Sequence, residues 1–203
     1  MKSQLARMFP ETLETERLRS ERLSRETANV VELYRFLVPN PDAGEMLEFV
    51  DFNSHRTVEE TFDMVKKAED DFENATGANY VIRPKPTEDH RGEVAGITGL
   101  YPKWGRRFDT HRVVLDKRFW GRGYSAERAA LFIEVAFERL NLERVAVKYN
   151  DGNETSKRAI EKYVDRYNGQ YEGLLRNWLP VGEELYDCHR YSSSRDQYTR
   201  SKQ

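Results

Sequence analysis

The stretch from Arg118 to Glu127 holds the residue types best suited to binding an anion. It lies between a β-branched apolar run and a long helical pattern, which predicts a strand, a turn and a helix. Gly121 and Gly123 lack a Cβ, so backbone N–H groups there can approach a ligand closely. The helix that follows adds the positive end of its dipole and its unpaired N–H groups. The stretch therefore predicts a cradle for a phosphate or pyrophosphate, with Arg118 and Arg122 as further donors.

Two common nucleotide-binding loops do not fit this turn. A Walker loop is excluded because no Gly-Lys-Ser or Gly-Lys-Thr follows. Ala126 stands at the third glycine position of the dinucleotide fingerprint, where alanine is accepted, but the chain start lacks the required βαβ unit. On this stretch alone, an ordinary turn before a helix stays an alternative.

Arg-x-x-Gly-x-Gly between a strand and a helix resembles the acetyl-CoA signature of the GNAT superfamily of N-acetyltransferases. Three later stretches resemble its RimJ/RimL-type, ribosomal-protein-alanine N-acetyltransferase-like branch. Residues 136–145 are similar to its helix-to-strand passage, residues 153–156 to its Asn-x-x-Ser, and residues 171–176 to the strand after its last helix. The resemblance is dense from about Gly92 to Tyr191 and thinner before that.

The resemblance implies an α+β fold of the α/β sandwich type. Its central sheet would be mixed and mostly antiparallel, with a splayed strand pair and helices on both faces. Periodicity alone predicts the order of strands and helices but not this sheet. We expect a single GNAT-like domain over residues 13–192. Residues 193–203 are polar and lack periodicity, which predicts a flexible tail.

The composition narrows the class of protein. The chain has 203 residues, 38% of them hydrophobic and 33% charged, which is typical of one well-solvated domain. Its net charge of −2 gives no general attraction to nucleic acid or anionic lipid. We find no membrane span or signal peptide and expect a cytoplasmic protein. Cys188 is the single cysteine and the histidines lack ligand spacing, so neither a disulfide framework nor a metal site is expected.

The resemblance also implies where acetyl-CoA binds. The pantetheine arm would pair with the backbone of the strand at residues 111–116, and the pyrophosphate would lie on the N–H groups of residues 121–125. The implied cofactor-binding residues are Val113, Val114, Leu115, Arg118, Gly121, Arg122, Gly123, Tyr124, Ser125 and Asn153.

Catalytic groups are harder to assign from the sequence. The resemblance implies that Ser156 donates a proton to the leaving thiolate, although both Asn153 and Ser156 also suit an ordinary helix start. The glutamate that this branch often carries after its Gly-x-x-Arg strand is missing, and the next carboxylates are Glu183 and Glu184. Either one of these glutamates or water would remove the proton from the amine. Because an α-amine titrates near pH ~8 and a lysine near ~10.4, a weak base favours an α-amine acceptor.

The acceptor is expected to enter between the early helices and the closing hairpin. That early region is rich in carboxylates, which either attract a cationic amine or simply form a solvated helix face. The carboxylates in question are Glu45, Glu48, Asp51, Glu59, Glu60 and Asp63.

We therefore expect an acetyl-CoA-dependent N-acetyltransferase that acts by direct transfer in a ternary complex. The preferred acceptor is the N-terminal α-amine of a protein or peptide, and a small-molecule amine is the alternative. A non-catalytic acyl-CoA-binding domain is the rival from another class. A nucleic-acid-binding module is disfavoured by the balanced charge, and association into a homodimer stays open.

Overall fold

The computed structural model describes residues 8–38, 54–181 and 184–203. Within them, five α-helices and eight strands form the fold. The helices are α1 (Val30–Leu37), α2 (Val58–Glu73), α3 (Tyr124–Glu134), α4 (Glu154–Arg166) and α5 (Arg195–Ser201). The strands are β1 (Thr12–Glu14), β2 (Leu18–Arg22), β3 (Ala78–Pro84), β4 (Gly96–Leu100), β5 (Phe108–Leu115), β6 (Arg144–Asn150), β7 (Gln170–Val181) and β8 (Glu184–Ser194).

Helix starts follow the capping chemistry of the sequence. The Thr57 hydroxyl accepts a hydrogen bond from the Glu60 N–H and caps the start of α2. The Glu60 carboxylate in turn accepts from the Arg56 N–H at 2.6 Å. At the start of α1, the Asn29 side chain accepts from the N–H groups of Val31 and Glu32.

The eight strands form one sheet in the order β1-β2-β3-β4-β5-β6-β8-β7. Neighbours pair antiparallel except β5 and β6, which are parallel, so the mostly antiparallel mixed sheet is confirmed. At one edge of this sheet, β1 and β2 form a hairpin. Its short turn brings residues 15–17 next to α3, where Arg17 contacts Glu127.

The parallel pair β5–β6 opens after three residue pairs. Pairing runs from Phe108 opposite Arg144 to Thr110 opposite Ala146 and then stops. The second half of β5 continues to pair with β4 on its other side, from His111 to Leu115. A gap therefore opens between β5 and β6, which is the splayed pair that the sequence resemblance implied.

Helices cover both faces of this sheet. The first core cluster contains Phe132 of α3 and Tyr163 of α4 together with Tyr80 and Val145 of the sheet. The second contains Leu33 of α1 and several side chains of α2, and it packs on the opposite face. The sheet separates these two helix layers, so the gap between β5 and β6 connects the α3–α4 face with the α1–α2 face.

The C-terminal segment is ordered, so the flexible tail expected over residues 193–203 is wrong. Strand β8 runs to Ser194, and a capping box between Ser194 and Gln197 then begins α5. Tyr198 is buried, and its ring stacks on Phe137 with centroids 4.8 Å apart. Arg195 also donates to the carbonyls of Phe137 and Leu142, so packing and hydrogen bonds together hold this segment against the domain.

We predict that Tyr198→Ala lowers the free energy of unfolding by about 3 kcal/mol, because it removes a buried aromatic ring. Chemical denaturation would measure the change. Arg200→Ala is the matched control, since Arg200 is exposed on the same helix. Equal stability of the two variants would show that α5 does not pack against the domain in solution.

Candidate active site

Gly121 and Gly123 form the turn before α3 in left-handed backbone conformations. Their φ angles are 74° and 80°, which side-chain-bearing residues rarely adopt. The first helical hydrogen bond of α3 runs from the Glu127 N–H to the Gly123 carbonyl at 3.1 Å. The N–H groups of residues 124–126 therefore lie in the first turn without an intrahelical acceptor. This is the geometry of an anion cradle.

Two buried aromatic side chains pack the turn against the core. Phe119 and Tyr124 are each 1% exposed, and their rings stack with centroids 6.1 Å apart. The Tyr124 hydroxyl donates to the Glu88 carboxylate at 2.6 Å. Burial and this contact raise the pKa of Tyr124 to about 12. Because the side chain is committed to the core, Tyr124 can offer the cofactor only its backbone N–H.

Arg17 and Glu127 tie the cradle to the β1–β2 turn. The Arg17 guanidinium donates to the Glu127 carboxylate at 2.7 Å and to the Arg122 carbonyl at 3.0 Å. Glu127 also accepts from the Arg17 N–H and from the Thr15 hydroxyl. Burial raises the pKa of Glu127, but these hydrogen bonds outweigh it and hold the pKa below its usual value. Sequence reasoning missed Arg17, which lies more than 100 residues from its partner.

The arginines expected as extra donors are already engaged. Arg118 forms ion pairs with Asp116 at 2.9 Å and Glu93 at 2.8 Å. The hydrogen bonds to Asp116, followed by those to Glu93, raise the pKa of Arg118 against the opposing effect of burial. The Arg122 Nε donates to the Arg118 carbonyl at 3.2 Å. In this arrangement the cradle relies on backbone N–H groups, and the Arg118 guanidinium would have to leave its carboxylates to reach a phosphate.

Only some of the β5 backbone faces the gap. The Thr110 carbonyl accepts from the Tyr101 N–H, and the Asp116 N–H donates to the Ala95 carbonyl. Hydrogen bonds to one neighbour alternate along an antiparallel strand, so even-numbered residues of β5 bond to β4. Val113 and Leu115 therefore turn their backbone groups toward the gap, while those of Val114 do not.

This alternation changes two of the expected cofactor contacts. Val114 presents only its side chain to the cavity described below. The Leu115 carbonyl already accepts from the Trp120 indole at 2.9 Å, which leaves its N–H. Val113 is thus the residue of this strand whose backbone is best placed to pair with a pantetheine arm.

A cavity of about 430 Å³ spans the gap between β5 and β6. On the α3–α4 face it is lined by Ser125, Asn153, Ser156 and Tyr163. The Asn153 side-chain oxygen accepts from the Ser156 N–H at 2.9 Å and caps α4. Its amide nitrogen is the group left for a ligand. The structure therefore brings Asn153 and Ser156 together at the cavity wall, one turn apart on α4.

Glu184, one of the two glutamates expected as bases, is not brought to this cavity. Glu184 is exposed at the start of β8, and its carboxylate accepts from the Tyr186 hydroxyl at 2.9 Å. It is not among the residues that line the cavity. Glu183 lies outside the described residues. Among the described lining residues the single carboxylate is Asp71, whose two oxygens bind the Lys67 ammonium and the Thr76 hydroxyl.

A buried polar cluster lies beneath the gap on the α3–α4 face. Arg128 is 2% exposed, and its Nε and Nη1 atoms have no hydrogen-bond partner among the described residues. His111 lies 3.3 Å from the Tyr163 hydroxyl, and burial lowers its pKa well below the usual value. Burial also raises the pKa of Asp109 to about 7. A strongly lowered pKa makes His111 a weak base, so it serves here as a hydrogen-bonding residue of the cavity wall.

Three of the early carboxylates, for which attraction of a cationic amine was one interpretation, do not reach the cavity. Glu59, Glu60 and Asp63 are exposed on α2 and do not line the cavity. Glu45, Glu48 and Asp51 lie outside the described residues. In the same described ranges, no group of three or more acidic, histidine or cysteine side chains is placed to hold a metal ion. No helix there is both long and apolar enough to cross a membrane.

Comparison with known proteins decides the family. The acetyltransferase (GNAT) domain model matches residues 17–163, which is most of the chain and includes the cradle and most of α4. The chain belongs to the GNAT acetyltransferase family. A GNAT enzyme of this kind transfers acetyl groups from acetyl-CoA. The match ends before β7 and β8, so it carries no information about the closing hairpin.

Three individual proteins illustrate this similarity. The uncharacterized N-acetyltransferase p20 of Bacillus licheniformis is 26% identical over 188 residues, 93% of this chain and 98% of that protein. The crystal structure of the microcin C7 self-immunity acetyltransferase MccE with acetyl-CoA and AMP has a TM-score of 0.77 at 14% identity, covering 92% of this chain and 98% of that one. The RimL ribosomal L7/L12 α-N-protein acetyltransferase with coenzyme A has a TM-score of 0.76 at 18% identity, covering 92% and 99%. At these identities the two structures support the fold alone, so the RimJ/RimL branch stays a prediction.

Gly123→Ala tests the cradle. A Cβ at this left-handed position costs about 1–2 kcal/mol and projects toward the Arg17 guanidinium, 3.4 Å away. We expect the variant to lose most of the rise in melting temperature that acetyl-CoA gives to the parent GNAT protein. Gly173→Ala is the control, because Gly173 also has a positive φ but lies in β7, away from the cradle. Equal thermal shifts in both variants would argue against an anion site at this turn.

Glu127→Gln tests the tie between the cradle and the β1–β2 turn. We expect a loss of about 1–3 kcal/mol of unfolding free energy near pH ~7, the range for hydrogen bonds to a charged group. Since the folded pKa of Glu127 is lowered, the parent's advantage exists above the unfolded pKa of ~4.3 and disappears as pH falls through the folded pKa.

Denaturation of parent and variant at several pH values would measure this difference. The exposed Glu73→Gln serves as the control. A difference that does not depend on pH would mean that the charge on Glu127 does not stabilise the turn.

Proposed function

We propose that this GNAT enzyme acetylates the N-terminal α-amine of a protein or peptide, by direct transfer in a ternary complex. The pyrophosphate of acetyl-CoA lies on the N–H groups of residues 121–125, and the pantetheine arm pairs with Val113 in the gap. The observation that carries this proposal is the continuity of the site: one cavity spans the strand gap, and Ser125, Asn153 and Ser156 line it on the side of the cradle. The opposite half is left for the acceptor.

The reaction requires one bond to form and one to break. The neutral amine nitrogen attacks the thioester carbonyl, the carbon–sulfur bond breaks, and the amine loses a proton. The thiolate that leaves needs a hydrogen-bond or proton donor, and Ser156 is the hydroxyl on α4 that lines the cavity beside Asn153. Such a contact strengthens as negative charge grows on the sulfur, so it favours the transition state over the bound substrates.

Proton removal in this proposal relies on water. Glu184 is exposed and away from the cavity, and both Asp71 oxygens already have partners. An α-amine with a pKa near ~8 is partly neutral at physiological pH, whereas a lysine near ~10.4 is almost fully protonated. The shortage of available carboxylates thus favours an α-amine acceptor. The name of the RimL neighbour, an α-N-protein acetyltransferase, points in the same direction.

Two alternatives are tested together with this proposal. A small-molecule amine is the alternative acceptor, and a domain that binds acyl-CoA without transferring the acyl group is the alternative class. A screen of N-terminal peptides, lysine peptides and small amines with thiol-release detection would separate them. Turnover on the peptides with free N-termini supports our proposal, whereas acetyl-CoA binding without thiol release on any amine supports the non-catalytic domain.

The cellular setting is also a proposal. A single free cysteine, Cys188, suits the reducing cytoplasm that we expect. A homodimer is compatible with the β7–β8 hairpin, which exposes Tyr171, Leu174, Trp178 and Leu185. Sedimentation of the purified chain would give its oligomeric state.

Ser156→Ala and Asn153→Ala should affect different steps. Loss of the Ser156 hydroxyl should lower kcat by about 10–100-fold with little change in acetyl-CoA affinity, because its contact forms with the departing thiolate. Loss of the Asn153 amide should weaken acetyl-CoA binding by about 0.5–1.5 kcal/mol and also remove a helix cap. Steady-state kinetics and calorimetric titration would measure both. If Ser156→Ala weakens binding as much as turnover, Ser156 binds the cofactor and is not the proton donor.

A further inference from the structure

The half of the cavity that faces α1 and α2 combines an apolar surface with basic groups. Its apolar lining comes from Leu23, Leu37, Met64, Ala68, Ile97 and Val114. Among the described residues, its charged lining consists of the cations Lys67, Arg112 and Lys148 and the carboxylate Asp71. Within the described part of the chain, this composition does not favour attraction of a cationic amine, which was one of the two interpretations of the early carboxylates.

One of these cations is neutralised and two are not. The Lys67 ammonium lies 2.8 Å from the Asp71 carboxylate, one turn further along α2. Arg112 and Lys148 form no ion pair with any residue that the structure describes. Each lies against an aromatic ring instead: the Arg112 guanidinium is 5.1 Å from the Tyr101 ring centroid, and the Lys148 ammonium is 5.0 Å from that of Trp178. Such contacts hold a cation in position without cancelling its charge.

These two cations flank the gap. Arg112 lies on β5, where it pairs with Gly99 of β4. Lys148 lies on β6, two residues beyond the last residue pair that joins β5 and β6. By strand alternation both side chains belong to the α1–α2 face, one on each edge of the opening. Burial lowers the pKa of Lys148, and repulsion by Arg112 and Arg190 acts in the same direction. A bound anion would relieve both effects.

We propose that Arg112 and Lys148 bind a carboxylate of the acceptor, so that the preferred acceptor is a peptide with Asp or Glu among its first residues. The inference rests on the proposed α-amine acetylation. The amine would reach the thioester through the gap, and an acidic side chain a few atoms away would lie between the two cations. The apolar lining around them accommodates the remaining aliphatic part of the first residues, and two cations can form charge-assisted hydrogen bonds to one carboxylate.

Matched peptides provide the test. Each pair has a free N-terminus and an amidated C-terminus and differs only by Asp against Asn at position one, two or three. At the best position we expect kcat/KM to be about 10–100-fold higher for the Asp peptide, the effect of hydrogen bonds to one charged group. A carboxylate source other than the side chain is tested by the same neutral peptide with a free C-terminus, and by free amino acids.

Variants identify the residues that read the carboxylate. Arg112→Gln and Lys148→Gln should each reduce the Asp-to-Asn ratio toward one, and Arg112→Glu should reverse it. Arg106→Gln and Lys162→Gln are charge-matched controls on exposed positions outside the cavity, and they should keep the parent ratio. Thermal melting and acetyl-CoA titration of each variant would verify that the fold and the cofactor site are intact.

The outcomes separate this inference from the proposed function. Acetylation of Asp and Asn peptides at equal kcat/KM would overturn the inference and leave α-amine acetylation standing. A preference for Asp that survives in the Arg112→Gln and Lys148→Gln variants would also overturn it. No turnover on any peptide N-terminus would overturn the proposed function itself, and turnover on free amino acids alone would replace peptides by small acceptors.

Discussion

The separation of β5 from β6 is the constraint on which the site depends. A strand that loses its neighbour leaves N–H and C=O groups without partners, which is unfavourable when they are shielded from water. Here the Val113 backbone faces this opening, and bulky buried groups of α3 and α4, among them Arg128 and Tyr163, lie beneath it. A ligand with amide groups of its own, such as a pantetheine arm, restores the missing hydrogen bonds. Under the proposed function, this defect in the sheet serves as the binding site.

Distant contacts hold the anion cradle in its working shape. The glycines permit the turn, and the stacked Phe119 and Tyr124 rings pack it against the core. Arg17 then holds the turn in place through hydrogen bonds to Glu127 and to the Arg122 carbonyl. This division of roles explains why the turn itself is readable from local sequence whereas Arg17 is not. A glycine pattern is a property of neighbouring residues, but the Arg17–Glu127 contact exists only after the β1–β2 hairpin has folded against α3.

Local signals predicted most elements, and tertiary contacts account for the errors. The order of strands and helices from Thr57 to β8 follows periodicity and caps, and the sheet type followed from the family resemblance. Helix α5 was missed because Tyr198 is its single buried residue, and one buried residue cannot produce a helical periodicity in the sequence. Glu184 was selected by its distance along the chain, whereas the β7–β8 hairpin leaves it exposed. The role of Val114 depended on which edge of β5 its backbone faces, which only the pairing with β4 determines.

The charge distribution of the cavity bears directly on how an amine loses its proton there. Counting acidic residues along the early helices suggested attraction of a protonated amine, yet the lining cations Arg112 and Lys148 have no carboxylate partner among the described residues. Nearby positive charges disfavour the protonated form of an amine and lower its pKa. In the proposed complex, however, the peptide carboxylate offsets the charge of Arg112 and Lys148, so these cations select the acceptor and leave its amine pKa close to that of a free α-amine. A free α-amine titrates near ~8 and is partly neutral at physiological pH, so the reaction can proceed with water as the base.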